Sequence, residues 1–162
     1  MPDLSPLAAS VGALLKERKE NISVADSSAG GLISASLLSV SGASAYYVGG
    51  VVSYTGVSRV ALLGISEEDM TKAGVRASTE PYAALIAKAV REKFGTTWGI
   101  SETGASGPTG NRYGDASGHA CFAVSGPVEC TITLETGSTD REANMWAFAK
   151  AALDLLESCL KG

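Results

Sequence analysis

The stretch VADSSAGGLI, residues 24–33, decides how this chain folds. It begins with apolar, β-prone residues, continues with two hydroxyls and two glycines, and ends in an apolar helical pattern. Such a pattern predicts a strand, a tight turn and the N-terminus of a helix. A hydroxyl from Ser27 or Ser28 would lie beside unpaired backbone N–H groups and the positive end of the helix dipole. Those groups can hold an anion, or an oxyanion if the hydroxyl attacks a carbonyl.

The same turn also has a purely structural explanation. Side chains of residues 26–28 can cap the following helix, and the paired glycines can let it pack closely. The pattern is not the G-x-S-x-G nucleophile elbow, and His119 is the only histidine of the chain. A Ser-His-Asp triad therefore needs His119, whose β-prone surroundings favour a packing role. A lysine, or Asp26 acting through a water molecule, is the other candidate for activating a serine.

Strand and helix patterns alternate on both sides of this turn. Apolar residues at three- and four-residue spacing predict helices over 4–15, 30–38, 58–63, 66–72, 79–94 and 140–160. β-prone runs predict strands over 22–25, 46–54, 98–103, 118–124 and 128–134. The alternation predicts a three-layer α/β sandwich, in which helices flank a mixed, mostly parallel sheet of about five or six strands. We expect one domain over residues 1–162.

Composition and charge argue against several kinds of partner. The net charge is −4 at pH 7, and no cluster of lysine and arginine forms the basic stripe that a nucleic acid needs. No apolar stretch reaches the roughly 18–20 residues of a membrane span, and nothing near the first residue resembles a secretory signal. We expect no nucleic-acid partner, no membrane partner and a cytoplasmic location.

The cysteines are three in number and widely spaced, at Cys121, Cys130 and Cys159. Metal-binding spacing such as C-x-x-C is absent, and His119 alone cannot complete a zinc site with them, so we expect no metal. Cys121 and Cys130 lie in apolar, strand-like runs, which predicts buried thiols in a reducing compartment.

Two further glycine-bearing segments follow or interrupt predicted strands, at 49–56 and 103–110. Ligands of open α/β sheets bind at loops beyond the carboxyl ends of strands, so these segments are expected to converge on the serine turn. Tyr54 and Arg59 either face a ligand or are a strand-end tyrosine and an exposed arginine. The second segment lacks the spacing and lysine of a P-loop. Its glycines either let amides approach a phosphate or form a flexible loop, and Arg112 beyond it can bind phosphate bidentately.

Together these segments resemble the C-terminal domain of the competence/damage-inducible protein CinA, a family that includes stand-alone nicotinamide-nucleotide amidohydrolases. The family pattern E-S-C-T-G-G corresponds to DSSAGG at 26–31, and its small-residue loop to SGASAYY at 41–47. Its G-G/V-x-Y-S-N-x-x-K segment corresponds to 49–59, and T-G-I-A-G-P-x-G to 103–110. The resemblance covers about residues 7–160.

The resemblance implies an activity and a site. The activity is hydrolysis of nicotinamide mononucleotide to nicotinic acid mononucleotide and ammonia, without a metal or organic cofactor and in a homo-oligomer. A serine hydroxyl at the position of Ser27 would attack the carboxamide, while turn amides hold the oxyanion and the glycine loop contacts the ribose phosphate; whether Ser27 or Ser28 points into the pocket depends on the turn geometry. The implied catalytic residues are Ser27, Tyr54 and Arg59, and the implied substrate-binding residues are Ser28, Ala29, Gly30, Gly31, Gly104, Ser106, Gly107, Gly110, Arg112 and Arg141.

Departures from the family pattern fall on the activating groups. Ala29 replaces a threonine, Asp26 shortens a glutamate, and Arg59 replaces a lysine. Arginine stays protonated at neutral pH and so cannot accept a proton, although it can bind phosphate or stabilise charge. In the last helix the first family arginine is kept as Arg141, and Met145 replaces the second. Two hypotheses follow: an amidohydrolase acting on a pyridine mononucleotide, and a nucleotide-binding or regulatory protein that kept the pocket and lost the base.

Overall fold

The computed structural model describes residues 2–162, and its secondary structure follows the predicted alternation. The strands are β1 (Ile22–Asp26), β2 (Tyr47–Val52), β3 (Trp98–Ala105), β4 (His119–Ser125) and β5 (Cys130–Glu135). The helices are α1 (Ser5–Arg18), α2 (Leu32–Leu38), α3 (Gly56–Leu63), α4 (Glu67–Ala73), α5 (Glu80–Phe94) and α6 (Arg141–Lys161), with a short 3₁₀ helix at Ala43–Ala45.

The five strands form one mixed sheet in the order β2-β1-β3-β4-β5. Strand β1 pairs in parallel with both β2 and β3, whereas β4 is antiparallel to β3 and to β5. It follows that β4 alone runs against the direction of the other strands. The predicted mixed, mostly parallel sheet is confirmed, and the carboxyl ends of β1, β2 and β3 meet at one edge.

Helices cover both faces of the sheet and make the predicted three-layer α/β sandwich. Helices α1, α2 and α6 pack on one face, where Leu15, Ile33 and Phe148 meet strand residues in the larger core. Helix α5 packs on the other face, where its Ile86 contacts a second cluster that includes Ala25. Every residue of β1 is buried as a result, including its two polar residues, Ser23 and Asp26.

Helix ends follow from local sequence. Thr79 and Asp140 accept hydrogen bonds from the backbone N–H groups of residues 82 and 143, and so begin α5 and α6. Helix α2 begins at Leu32, two residues later than predicted, because Gly30 and Gly31 have φ values of 65° and 89° and belong to the turn.

The cysteine prediction needs a correction. Cys121 is a buried free thiol, as expected. Cys130 is only partly buried, and it forms a disulfide with Cys159. The pair joins β5 to the last turn of α6, two elements whose packing cannot be deduced from cysteine spacing. The cysteines therefore no longer argue for a reducing compartment.

Two observations hold for residues 2–162. No helix there is both long and apolar enough to cross a membrane. No group of three or more histidine, cysteine, aspartate or glutamate side chains there is arranged to hold a metal ion.

Candidate functional site

Two adjoining cavities open at the edge of the sheet where β1, β2 and β3 end. We call the first the serine cavity; its volume is about 380 Å³, and Ser27 and Arg59 are in its wall. We call the second the loop cavity; its volume is about 270 Å³, and Ser28 and Arg141 are in its wall. Tyr54, like Gly104 and Asn111, lines both. The two cavities are therefore parts of one site at the position where open α/β sheets bind ligands.

Most of the predicted site residues meet at these cavities. Those in the cavity walls are Ser27, Ser28, Tyr54, Arg59, Gly104, Ser106, Gly107, Gly110, Arg112 and Arg141. Ala29, Gly30 and Gly31 do not line either cavity. Ala29 is fully buried in the larger core, and a side chain at Gly30 would meet Met145 of α6. Gly30 and Gly31 have the positive φ values that the turn requires. The role of these three residues in substrate binding stays a prediction.

The backbone amides of the turn are already occupied. Ser27 N and Ala29 N donate to Oε2 of Glu102, at 3.0 and 2.8 Å, and Gly31 N donates to Oδ2 of Asp26 at 2.9 Å. Gly30 N donates to the carbonyl of Ser27 at 3.0 Å. The amides of Ala29–Gly31 thus donate to the protein's own acceptors and are not free for the predicted oxyanion.

Glu102 has no counterpart among the predicted site residues. It lies on β3 with its side chain fully buried, and its Oε1 accepts a hydrogen bond of 2.5 Å from Ser28 Oγ. A charged residue inside a buried strand is rare unless it is paired. That rarity is the one signal in the sequence ISET, residues 100–103, that marks Glu102.

Asp26 is the second buried acid beneath the turn. Its side chain is 1% exposed, and its Oδ1 has no hydrogen-bond partner. Burial, and after it the nearby charge of Glu102, raise the pKa of Asp26 to about 7. Burial also raises the pKa of Glu102. Burial thus favours the neutral form of both carboxyl groups.

The two serines of the turn have different surroundings. Ser27 is half-buried in the wall of the serine cavity, and within residues 2–162 its hydroxyl makes no hydrogen bond. Ser28 is 5% exposed, lines the loop cavity and donates to Glu102. Asp26 makes no direct hydrogen bond to either hydroxyl, and its action through a water molecule stays a prediction.

Arg59 is a buried part of the cavity wall and not an exposed arginine. Its Nε donates to the carbonyl of Ile65 at 3.1 Å, and its Nη2 donates to Glu67 at 2.7 Å. Its side chain lies in the serine cavity at 7% exposure. Because the guanidinium stays protonated, Arg59 supplies a fixed positive charge at the site.

Arg141 joins the glycine loop to the end of β2. Its Nη1 donates to the carbonyl of Gly107, and its Nη2 donates to the hydroxyl of Tyr54 at 3.3 Å. One turn further along α6, the amide Nδ2 of Asn144 donates to the carbonyl of Ser106 at 2.8 Å. The loop is therefore held by the start of α6.

The distal part of the loop is ordered around Asn111. Asn111 Oδ1 accepts from the amides of Tyr113 and Asp115, and its Nδ2 donates to Asp115 Oδ2 at 2.8 Å. Arg76 binds the same carboxylate at 2.8 Å. Arg112 lines the serine cavity and donates to the Tyr113 hydroxyl at 2.9 Å. These contacts exclude the alternative of a loop without fixed structure.

Two buried hydroxyls in the cavity walls have no partner. They are Ser53 Oγ in the serine cavity and Ser106 Oγ in the loop cavity. Buried polar atoms in proteins are nearly always hydrogen-bonded, to protein, water or ligand. Both hydroxyls are therefore candidate contacts for a bound molecule.

His119 does not form a triad with the turn serines. Its Nδ1 contacts Glu135, and its Nε2 lies 2.8 Å from the carbonyl of Ser78. Burial lowers the pKa of His119, but the hydrogen bonds to Glu135 and Ser78 outweigh burial and leave the pKa raised. Ser78, which lines the serine cavity, has a φ of 61° that is uncommon for serine. His119 therefore fixes the carbonyl of a strained residue in the cavity wall.

The fold and the cavities define a three-layer α/β domain with a polar cleft at the ends of its parallel strands. Residues 4–160 match the family model described as the CinA C-terminal domain, and the chain belongs to that family.

Relatives and solved structures agree with this assignment. A CinA-like protein of Nostoc punctiforme is 39% identical over 129 residues, which cover 80% of this chain and 30% of that protein. A CinA-like protein of Salinibacter ruber is 37% identical over 148 residues, which cover 91% of this chain and 35% of that protein. The chain thus spans about a third of the length of these relatives.

The fold likeness to solved structures extends over the whole domain. The crystal structure of a competence-damaged protein (CinA) superfamily protein from Klebsiella pneumoniae has a TM-score of 0.90 at 22% identity and covers 99% of both chains. That of the competence/damage inducible protein CihA from Agrobacterium tumefaciens has a TM-score of 0.88 at 24% identity, covering 100% of this chain and 98% of that one. At this identity the likeness shows the fold.

Proposed function

We propose that this domain is an amidohydrolase that acts on the carboxamide of a pyridine mononucleotide, with nicotinamide mononucleotide as the substrate to test. The observation that carries the proposal is the pairing of a serine turn with a cationic loop cavity beside it. These two features match the two ends of such a molecule, a neutral carboxamide and a phosphate. Membership of the CinA C-terminal domain family supports the same choice, because that family includes stand-alone nicotinamide-nucleotide amidohydrolases.

The carboxamide would bind next to the serine turn. A turn hydroxyl attacks the carboxamide carbon, the C–N bond breaks and ammonia leaves, and water then hydrolyses the ester to release the carboxylate. Because the turn amides are occupied, the negative charge on the carbonyl oxygen needs another partner. Arg59 supplies a permanent positive charge in the same cavity.

The phosphate would bind in the loop cavity. Arg141 lies there in the first turn of α6, where the helix dipole also favours an anion. The unpartnered hydroxyl of Ser106 is a further donor. Gly107 and Gly110 carry no side chain and leave the loop backbone open to a ligand.

The first prediction concerns the reaction itself. Purified protein incubated with nicotinamide mononucleotide is expected to release ammonia and nicotinic acid mononucleotide in equal amounts. The double variant Ser27→Ala, Ser28→Ala removes both turn hydroxyls, and its rate should fall by about 100-fold or more. Ammonia measured by a coupled enzyme assay, with the acid product measured by chromatography, checks this. Equal rates in both proteins would show that no turn serine is the nucleophile.

A second prediction tests the phosphate end. Arg141→Ala should weaken the binding of nicotinamide mononucleotide by about 10-fold or more, since a hydrogen bond to a charged group contributes roughly 1.5–3 kcal/mol. The binding of nicotinamide riboside, which lacks the phosphate, should change little. Titration calorimetry with both ligands measures the difference. Lys150→Ala is the matched control, because Lys150 is an exposed cation on the same helix that pairs with Asp154. Equal losses for the two ligands would place the phosphate elsewhere.

A second candidate function is nucleotide binding without hydrolysis. The specific observation in its favour is that Arg59, which replaces the family lysine, is tied to Ile65 and Glu67 and cannot accept a proton. Binding of nicotinamide mononucleotide in calorimetry, without any release of ammonia, would favour this function over the first.

A further inference from the structure

The contact between Ser28 and Glu102 is the one hydrogen bond, within residues 2–162, that joins a turn hydroxyl to a carboxylate. Ser28 Oγ donates to Glu102 Oε1 at 2.5 Å. Serine nucleophiles are weak unless an adjacent base takes their proton, and the expected signature is a base within hydrogen-bond reach. Ser27 has no such partner.

Glu102 is positioned as a base. Its Oε2 accepts two backbone hydrogen bonds, from Ser27 N and Ala29 N, so that the carboxylate cannot rotate away from the turn. All three of its hydrogen bonds come from donors, and they favour the ionised carboxylate against the burial that raises its pKa. Its side chain is fully buried, so water does not compete for the serine hydroxyl.

Ser28 also has access to the ligand site. Although it is 5% exposed, it lines the loop cavity together with Tyr54 and Ser106. Its hydroxyl is therefore placed between a buried base on one side and the cavity on the other. Ser27 has access to the neighbouring cavity but lacks a base.

We propose that Ser28 is the nucleophile of this domain and that Glu102 is its general base. The choice of a pyridine mononucleotide as the natural substrate of this pair rests on the proposed function. Glu102 serves as the proton acceptor, a role that Arg59 cannot fill. The nucleophile is then Ser28, and not Ser27 as the family resemblance implies.

The reaction proceeds in two stages, through an acyl ester on Ser28. Ser28 Oγ attacks the carboxamide carbon while its proton passes to Glu102. Glu102 returns that proton to the leaving nitrogen, the C–N bond breaks, and ammonia departs from an acyl-serine ester. A water molecule then attacks the ester carbon and gives one proton to Glu102. The ester C–O bond breaks, Ser28 takes the proton back, and the carboxylic acid loses its own proton to solvent.

The test uses an aryl sulfonyl fluoride, a probe that reports a nucleophilic hydroxyl whatever the natural substrate is. Ser28 Oγ attacks sulfur, fluoride leaves, and the hydroxyl proton passes to Glu102. Mass spectrometry of digested protein should find the label on Ser28 in the wild type and in Ser27→Ala. Glu102→Gln should slow labelling by about 100-fold or more, the range of general-base catalysis.

The choice of variants separates chemistry from folding. Glutamine keeps an oxygen that can accept from Ser27 N and Ala29 N, while its NH₂ faces the hydroxyl and cannot take a proton. Its folding is checked by the urea midpoint of unfolding. Glu68→Gln is the matched control, since Glu68 is an exposed acid on α4 that pairs with Lys72. It should label at the wild-type rate.

The outcomes distinguish this proposal from the proposed function. Label on Ser27, no label on either serine, or equal labelling of wild type and a folded Glu102→Gln overturns the Ser28–Glu102 pair. Labelling of Ser28 that depends on Glu102 supports the pair even where nicotinamide mononucleotide is not hydrolysed, and only the choice of substrate then fails.

Discussion

Replacing Asp26 by asparagine is expected to raise the free energy of unfolding by about 4 kcal/mol at pH 8, and to flatten its decline with pH. The pKa of Asp26 is raised from 3.8 to about 7 in the folded protein. Between those values the native state keeps a proton that the unfolded state has lost, so stability falls as pH rises and levels off above about 7. Each unit of pKa shift contributes about 1.4 kcal/mol, which gives the stated size.

The measurement is urea unfolding of wild type and Asp26→Asn at several pH values from 5 to 8. Asparagine is neutral throughout and keeps an oxygen for the amide of Gly31. His119 also has a raised pKa, so its stabilisation is likewise lost as pH rises, but it contributes equally to both proteins and cancels in their difference. Parallel stability curves for the two proteins would contradict a raised pKa at Asp26.

Much of this fold could be predicted because the deciding signals are local. Alternating strand and helix patterns identified every strand, and the run from Val24 to Ile33 located the turn at the ligand edge. The two glycine-bearing segments lie at the same edge because β1 pairs in parallel with both β2 and β3, so that the carboxyl ends of the three strands meet there. The first residue of a helix was harder to predict. Helix α2 begins only after Gly30 and Gly31, because the positive φ values of these glycines place them in the turn.

The chemistry of the turn could not be predicted because it depends on pairing between distant strands. The register that sets Ala25 opposite Ser101 brings Glu102 under the turn, and no local pattern around residue 27 encodes that neighbour. The disulfide could not be predicted for the same reason, since Cys130 and Cys159 meet only when α6 packs near β5. Local sequence therefore predicted where the cavities lie, while strand register determined which groups accept from the amides of the turn.

The two acids beneath the turn change the electrostatics that the motif suggests. A serine turn at a helix N-terminus is normally a place for an anion. Here the carboxyl groups of Glu102 and Asp26 already accept hydrogen bonds from its donors. An oxyanion formed there would find no free amide from Ala29 to Gly31. The cations in the cavity walls are Arg59 and Arg112 in the serine cavity and Arg141 in the loop cavity. The turn thus offers a proton acceptor to Ser28 and leaves charge stabilisation to these arginines.

Gly107→Ala is expected to destabilise the protein by about 3 kcal/mol, through backbone strain and overpacking together. Gly107 has a φ of 107°, which side chains disfavour. An added Cβ would overlap Ser117 Oγ and lie 3.2 Å from the carbonyl of Thr139. The loop would have to move, and with it the Gly107 carbonyl that Arg141 binds. Binding of nicotinamide mononucleotide should weaken by about 10-fold, because Arg141 and Ser106 would lose their relative positions.

The variant Gly114→Ala separates backbone strain from overpacking as causes of the lost stability. Gly114 belongs to the same loop and has a φ of 93°, but a Cβ there meets nothing within 4 Å. That variant should lose only the strain, about 1–2 kcal/mol, and keep its affinity. Adding Ser117→Ala to Gly107→Ala removes the overlapping oxygen and should recover part of the loss, which a double-mutant cycle measures. If Gly107→Ala and Gly114→Ala cost the same, and calorimetry finds equal affinities, then the close contact at Gly107 does not hold the loop cavity in shape.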